Sequence, residues 1–249
     1  MKIKHRFYIP PDNIKENSAI ICLPEYHHVV DVLRHAEGDP LLFFDGKGTE
    51  CTGVITKIDK TAKIVTISII EKVVRDISKR PIVLVQALIK SGNMDLIIQK
   101  ATELGVTNIC PIITKNTVVQ LGEKELITKI EKWNRIAEEA CKQCKRSTLP
   151  VIDKIWNINE AVAALNWLDV KLICAPHESA RHLKEISDNN SGSVGIMIGP
   201  EGDFTHEEIR SATEKGWNLI HLGETILRAE TASIAMLGAV SYKFGYWDK

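Results

Sequence analysis

Beyond Pro81 the chain alternates short, predominantly apolar runs with stretches of helical periodicity, a rhythm few folds accept. The apolar runs are Ile82 to Leu88, Asn108 to Ile113, Val170 to Ala175, Val194 to Ile198 and Leu219 to Leu222. The helical stretches are Met94 to Leu104, Ile127 to Arg146, Ile158 to Leu165, Ala180 to Ile186, His206 to Lys215 and Thr231 to Tyr242. A strand that is apolar on both faces must be covered on both faces. The pattern therefore predicts an α/β domain built on a parallel sheet between helical layers. Gly105 and Gly216 stand where helix C-caps belong, and Thr205 with Glu208 forms a capping box that fixes a helix start just behind Asp203.

The first seventy or so residues follow another pattern. Leu41-Leu42-Phe43-Phe44 runs into the turn Asp45-Gly46-Lys47-Gly48, after which Cys51 to Ile58 and Ala62 to Ile70 alternate or carry β-branched residues. Glu25 to His35 is the helix candidate there. This reads as a small, mostly antiparallel barrel or sandwich, with the charged stretch Val73 to Arg80 before Pro81 as a hinge. The expected division is 1–72 and 73–249, and 249 residues give room for both cores.

Two glycine-punctuated turns carry the chemistry. Ile198-Gly199-Pro200-Glu201-Gly202-Asp203-Phe204 and Leu222-Gly223-Glu224-Thr225-Ile226-Leu227-Arg228-Ala229-Glu230-Thr231-Ala232 each follow an apolar run and precede a helical pattern. At such turns glycine lets the backbone approach a ligand, and unpaired helix N–H groups face it. With one helix and one strand between them, the two turns predict a single composite pocket.

Composition narrows the partners. Lysine and arginine balance aspartate and glutamate at a formal net charge of zero, so any nucleic-acid contact needs a local basic patch. The six scattered cysteines suit reduced thiols, and Met1 to His5 lack a secretory apolar region, so a cytoplasmic location without membrane attachment is expected. Cys141-x-x-Cys144 lies within a helical stretch with no second pair to complete a zinc set, so no metal is expected. No glycine loop carries the Lys-Ser/Thr pair of a phosphate-loop hydrolase.

Read together, Gln86 to Lys90, Met94 to Gly105, Trp133 to Arg146, Ile198 to Phe204 and Leu222 to Ala232 resemble the SPOUT class of S-adenosyl-methionine-dependent RNA methyltransferases. Within it they resemble the ribosomal RNA small-subunit methyltransferase E family. His28-Val29-Val30-Asp31-Val32-Leu33-Arg34, Gly38-Asp39 and Phe44-Asp45-Gly46 are similar to that family's N-terminal PUA-like β-barrel. Two departures stand out: Lys115-Asn116-Thr117 where an arginine-serine pair is usual, and Asp203 where glycine is usual.

The resemblance implies a C-terminal trefoil knot (an alpha/beta knot) whose loops hold S-adenosyl-methionine, and a homodimer with each active site at the subunit interface. The implied acceptor is N3 of a uridine in small-subunit (16S) ribosomal RNA, within a small-subunit particle. Cofactor contacts are expected from Ile198, Gly199, Pro200, Glu201, Gly202, Leu222, Gly223, Ile226 and Leu227, with Thr231 capping the last helix and closing the loop. Pro176-His177-Glu178 is the expected third wall, where Glu178 either accepts ribose hydroxyls or sits solvated at a helix start. Arg228 is expected to stabilise charge on the uracil oxygens or grip a phosphate. Glu230 orients Arg228, accepts the proton, or simply favours a helix N-terminus.

RNA contacts are expected from His28, Arg34, Lys90, Lys115 and Arg146, with Lys47 a further candidate. Lys142 and Lys145 suit either RNA or a helix C-terminus, and His27 and His28 suit a plain helix surface equally well. The competing readings are a knotted enzyme acting on another RNA, such as ribose 2′-O methylation of a transfer RNA, and a non-catalytic ribosomal RNA assembly factor.

Overall fold

A computed structural model describes residues 5–74, 80–119, 122–187 and 192–247. They form two compact units. One is Met1–Ile77 with Glu138–Leu149; the other is Ser78–Ala137 with Pro150–Lys249.

The first unit is a five-stranded sheet. Its strands are β1 (Arg6–Tyr8), β2 (Ser18–Ile21), β3 (Pro40–Phe44), β4 (Thr49–Asp59) and β5 (Ile64–Val74), in the order β1-β3-β4-β5-β2. β1 runs parallel to β3 and the other pairs are antiparallel. The alternation read in the sequence marks β4 and β5; β1 and β2 are too short to display a period. Phe7, Leu41, Phe43, Ile55 and Ile67 fill the core, and burying such a side chain stabilises by about 1.5–3 kcal/mol. The helix expected over Glu25 to His35 forms over residues 25–32, wound as a π-helix from His27 to Val32, and Arg34 in the left-handed region (φ 57°) follows its end. Most of the expected hinge, 75–79, lies outside the described residues.

Arg6 is the unit's buried hub, a role no motif around it signals. It pairs with Glu50 at 3.0 Å, donates to the carbonyls of Cys141 and Arg146 and to Ser147 Oγ, and lies over the Phe44 ring. These bonds tie the segment after residue 138 to the small sheet.

The second unit is an all-parallel sheet. Its strands are β6 (Ile82–Ala87), β7 (Asn108–Ile113), β8 (Val151–Ile152), β9 (Trp156–Asn157), β10 (Val170–Cys174), β11 (Arg181–His182), β12 (Val194–Ile198) and β13 (Asn218–His221). They lie in the order β11-β13-β10-β12-β6-β7-β8, with β9 also paired to β7. Its helices are α1 (Ser91–Glu103), α2 (Glu123–Cys144, whose last turns belong to the first unit), α3 (Ile158–Ala164), α4 (His206–Glu214) and α5 (Ala229–Lys243).

Successive strand residues serve opposite cores, as a doubly covered sheet requires. Ile82 and Leu84 pack with Met94, Ile98 and Met236 on one face; Val83 and Val85 pack with Ala161, Ile209 and Ala212 on the other. Gly105 and Gly216 close α1 and α4 at φ 92° and 84°. The helix expected over Ala180 to Ile186 is not formed. Arg181 and His182 pair with the edge strand β13, leaving only a single 3-10 turn, Leu183–Glu185. So short a segment gains more from sheet pairing than from a helix nucleus.

Candidate functional site

β12, β10 and β13 lie side by side, and the loops leaving their carboxyl ends enclose a cavity of about 570 Å³. Crevices at the carboxyl ends of parallel strands are the usual ligand sites of such sheets. The first glycine turn brings Ile198, Gly199, Pro200 and Glu201 to the wall. The second brings Leu222, Gly223, Ile226, Leu227, Arg228 and Glu230. Pro176 adds the third segment, and Lys90 and Asn93 come from the start of α1. The two turns read in the sequence therefore do share one pocket.

Three residues expected at the pocket are elsewhere. Gly202 faces Asn116: a Cβ on it would stand 3.1 Å from the Asn116 Cβ, and its carbonyl accepts from Asn116 Nδ2 at 2.9 Å. Glu178 is exposed and does not line the cavity, although Pro176 two residues earlier does. Thr231 is exposed within the first turn of α5 and does not cap it. The N-cap is Arg228, extended at φ −64° and ψ 154°, whose carbonyl accepts from Ala232 N–H at 2.8 Å.

The first turn is held from two sides. Asn116 Nδ2 also donates to the Asp203 carbonyl at 3.0 Å, and the Lys115 backbone N–H donates to Glu208 Oε1 at 2.9 Å. Glu208 in turn closes the capping box of α4 with Thr205, as the sequence predicts. Within the turn, a Cβ on Gly199 would meet Asp203 Oδ1 at 3.1 Å and the Phe204 ring at 3.2 Å, so only glycine fits without displacing them. Asp203 also lines the cavity, which the sequence reading missed. Its carboxyl is pushed up by burial and drawn partly back by the Phe204 N–H.

Two helices open onto the cavity. α1 begins on Lys90 and α5 on Arg228, and neither has a side-chain cap. Their free N–H groups carry partial positive charge toward the cavity, which the Lys90 and Arg228 side chains reinforce. Arg228 and Glu230 form no ion pair with each other or with any described residue. A buried tie anchors α5: Ser233 Oγ lies 2.6 Å from Gln86 Oε1 and 2.8 Å from the Ala229 carbonyl, while Gln86 Nε2 donates to the Ala87 carbonyl.

The candidate RNA contacts divide. Lys115 and Arg34 have exposed side chains. His28 is half-exposed, its ring edge-on to that of Phe7 with centroids 5.7 Å apart. Lys142 is buried in ion pairs with Glu25 and Glu139, which removes it as a surface contact. Arg146 is half-buried, its Nε donating to Thr148 Oγ1 at 2.9 Å, and burial lowers its pKa. Cys141 and Cys144 lie on α2 outside any disulfide, and among the described residues no His, Cys, Asp and Glu side chains cluster to hold a metal.

Comparison with known proteins gives the same outline. Residues 76–241 match an RNA methyltransferase domain family, and residues 24–68 an RNA methyltransferase PUA domain. The chain is 32% identical over 241 residues to ribosomal RNA small subunit methyltransferase E of Rickettsia conorii, covering 95% of this chain and 94% of that one. It is 31% identical to the Bacillus subtilis protein of the same name, covering 88% of each. Among solved structures, a Legionella pneumophila methyltransferase with bound SAM superposes at a TM-score of 0.88, with 29% identity and 98% of each chain covered. A Neisseria gonorrhoeae ribosomal RNA small subunit methyltransferase E bound to S-adenosyl methionine superposes at 0.85, with 30% identity over 96% of this chain and 98% of that one.

Proposed function

The chain belongs to the ribosomal RNA small subunit methyltransferase E family, and from that premise we propose that it methylates N3 of a uridine in 16S ribosomal RNA with S-adenosyl-methionine as donor. The observation that carries the reading is the single cavity under both glycine turns, with unpaired Arg228 and Glu230 at its edge. Its size and mixed lining suit such a cofactor. Leu222, Leu227 and Ile198 offer apolar walls for an adenine, and the carboxylates of Glu201 and Asp203 suit a cation. Bound there, S-adenosyl-methionine supplies an electrophilic methyl group on a sulfonium sulfur.

The chain's own residues do the rest. A uridine N3 keeps its proton at neutral pH and must lose it to become a nucleophile. Glu230, half-buried at the rim, accepts that proton or holds Arg228 in place. Arg228, with the free N–H groups of α5 behind it, stabilises the negative charge that builds on the uracil oxygens. Lys90 and the start of α1 hold a neighbouring phosphate.

On this reading residues 1–72 position the RNA through His28 and Arg34, and residues 73–249 bind the cofactor and carry the transfer, with Lys115 at the rim. Arg146 serves by bracing the loop it is bonded to rather than by gripping phosphate. The passage from β13 to α5 is the threaded segment of a trefoil knot. The support is that β13 lies beyond β10 from β12, while α5 returns to pack on β12 and α1. A cytoplasmic homodimer acting on a small-subunit particle completes the proposal; Tyr242, 82% exposed on α5, is surface a second copy would cover.

Mass-spectrometric nucleoside analysis of 16S ribosomal RNA from a deletion strain, with and without the protein restored, tests the reaction. A missing 3-methyluridine that returns on restoration is the expected result. A missing ribose methyl, or no change, overturns it.

A further inference from the structure

The first turn of the cavity carries a carboxyl group that no described lysine or arginine answers. Asp203 lines the cavity beside Gly199 and Pro200. Its φ of 56° is a conformation glycine takes freely and other residues only at a cost, so a side chain is tolerated there against the backbone's preference. One carboxylate oxygen accepts the Phe204 N–H at 2.7 Å, which fixes the group's orientation. No described lysine or arginine pairs with it, although Lys90 and Arg228 line the same cavity.

The physical consequence has a definite sign. Burial raises the carboxyl's pKa in the folded chain, so its contribution to stability is present when protonated and is lost as pH rises through the raised value. When ionised, the group is a partly desolvated charge with no cationic partner among the described residues. A cation bound in the cavity would offset it.

We propose that Asp203 is a specificity-determining residue that reads the positive charge of the donor, favouring the sulfonium over the neutral thioether left after transfer. The inference rests on the cavity being the S-adenosyl-methionine site. A sulfonium has no N–H or O–H to donate, so negative charge, carbonyl dipoles or an aromatic face must recognise it, and no phenylalanine, tyrosine or tryptophan lines the cavity. The carboxylate at the cofactor's methionyl end has another partner available, in the free N–H groups at the start of α5.

The test is calorimetric binding of S-adenosyl-methionine and of S-adenosyl-homocysteine to the full chain and to Asp203→Asn and Asp203→Gly. Both variants should weaken the donor about fivefold or more and the thioether less than twofold, because only the donor loses an ion–ion attraction. Melting without ligand controls for folding: Asp203→Gly should melt no lower than the parent, since it removes both the left-handed strain and the buried charge. Equal weakening of both ligands would assign Asp203 a hydrogen-bonding or structural role and overturn the proposal, as would no change in either. If the parent chain binds neither ligand, the site reading itself fails and takes the proposal with it.

Discussion

Four helices of the second unit, α1, α3, α4 and α5, begin in two ways. α3 and α4 start under complete capping boxes, Asn157 with Glu160 and Thr205 with Glu208. α1 and α5 start on Lys90 and Arg228 with no side-chain cap. Lysine and arginine are poor choices there: they satisfy no backbone N–H and they place positive charge on the positive end of the helix dipole. A missing cap costs about 1 kcal/mol. The two helices that forgo it are the two that open onto the cavity, where free N–H groups and cations are useful to an anionic substrate. α5 compensates from within, through the buried Ser233–Gln86 tie one turn into the helix.

The sharpest way to break this contrast is at Arg228. Arg228→Ala should lower turnover about a hundredfold, the usual cost of removing one group that stabilises developing charge. Affinity for S-adenosyl-methionine, measured by calorimetry, should stay within about tenfold. A larger loss of cofactor binding would make Arg228 a piece of the pocket wall and end the argument that α5 is left uncapped for the substrate.

Next in size is the tie that replaces the cap. Ser233→Ala leaves Gln86 Oε1 without its partner in a fully buried position, and an unsatisfied buried acceptor costs about 1–3 kcal/mol. Denaturant unfolding should show that loss. Because the first turn of α5 carries Arg228 and Glu230, turnover should fall further than cofactor affinity. Unchanged stability would mean that α5 is held by packing alone.

Much of this was legible in the sequence, and the limits of legibility are physical. The sheet could be read because Ile82 to Leu88, Gln86 apart, and Val194 to Ile198 carry no polar side chain on either face, which only a doubly covered strand requires. The pocket could be read because glycines follow strand ends. β8, β9 and β11 could not, since two residues show no period. Thr231 looked like a cap because threonine favours caps, but the chain turns into α5 at Arg228, where the requirements of the cavity override local preference. Asp203 and Asn116 escaped for another reason: their roles depend on a left-handed turn and on a contact between residues 86 positions apart.

The complementary variants test the capped side and then the trade itself. Thr205→Ala removes the α4 cap and should cost about 1 kcal/mol in unfolding, since Glu208 loses its reciprocal partner. Cofactor affinity should hardly move, because Thr205 does not line the cavity and Asn116 still clamps the turn ahead of it. Lys90→Ser is the smallest effect and the most discriminating. It gives α1 the cap it lacks and removes a charge that opposes the dipole, so stability should rise by roughly 0.5–1 kcal/mol. RNA affinity should fall, and its dependence on the logarithm of salt concentration should become shallower by about one unit, the mark of one lost phosphate contact. A gain in stability with no loss of RNA affinity would show that the uncapped start of α1 is merely tolerated, and the contrast between the two kinds of helix would then rest on α5 alone.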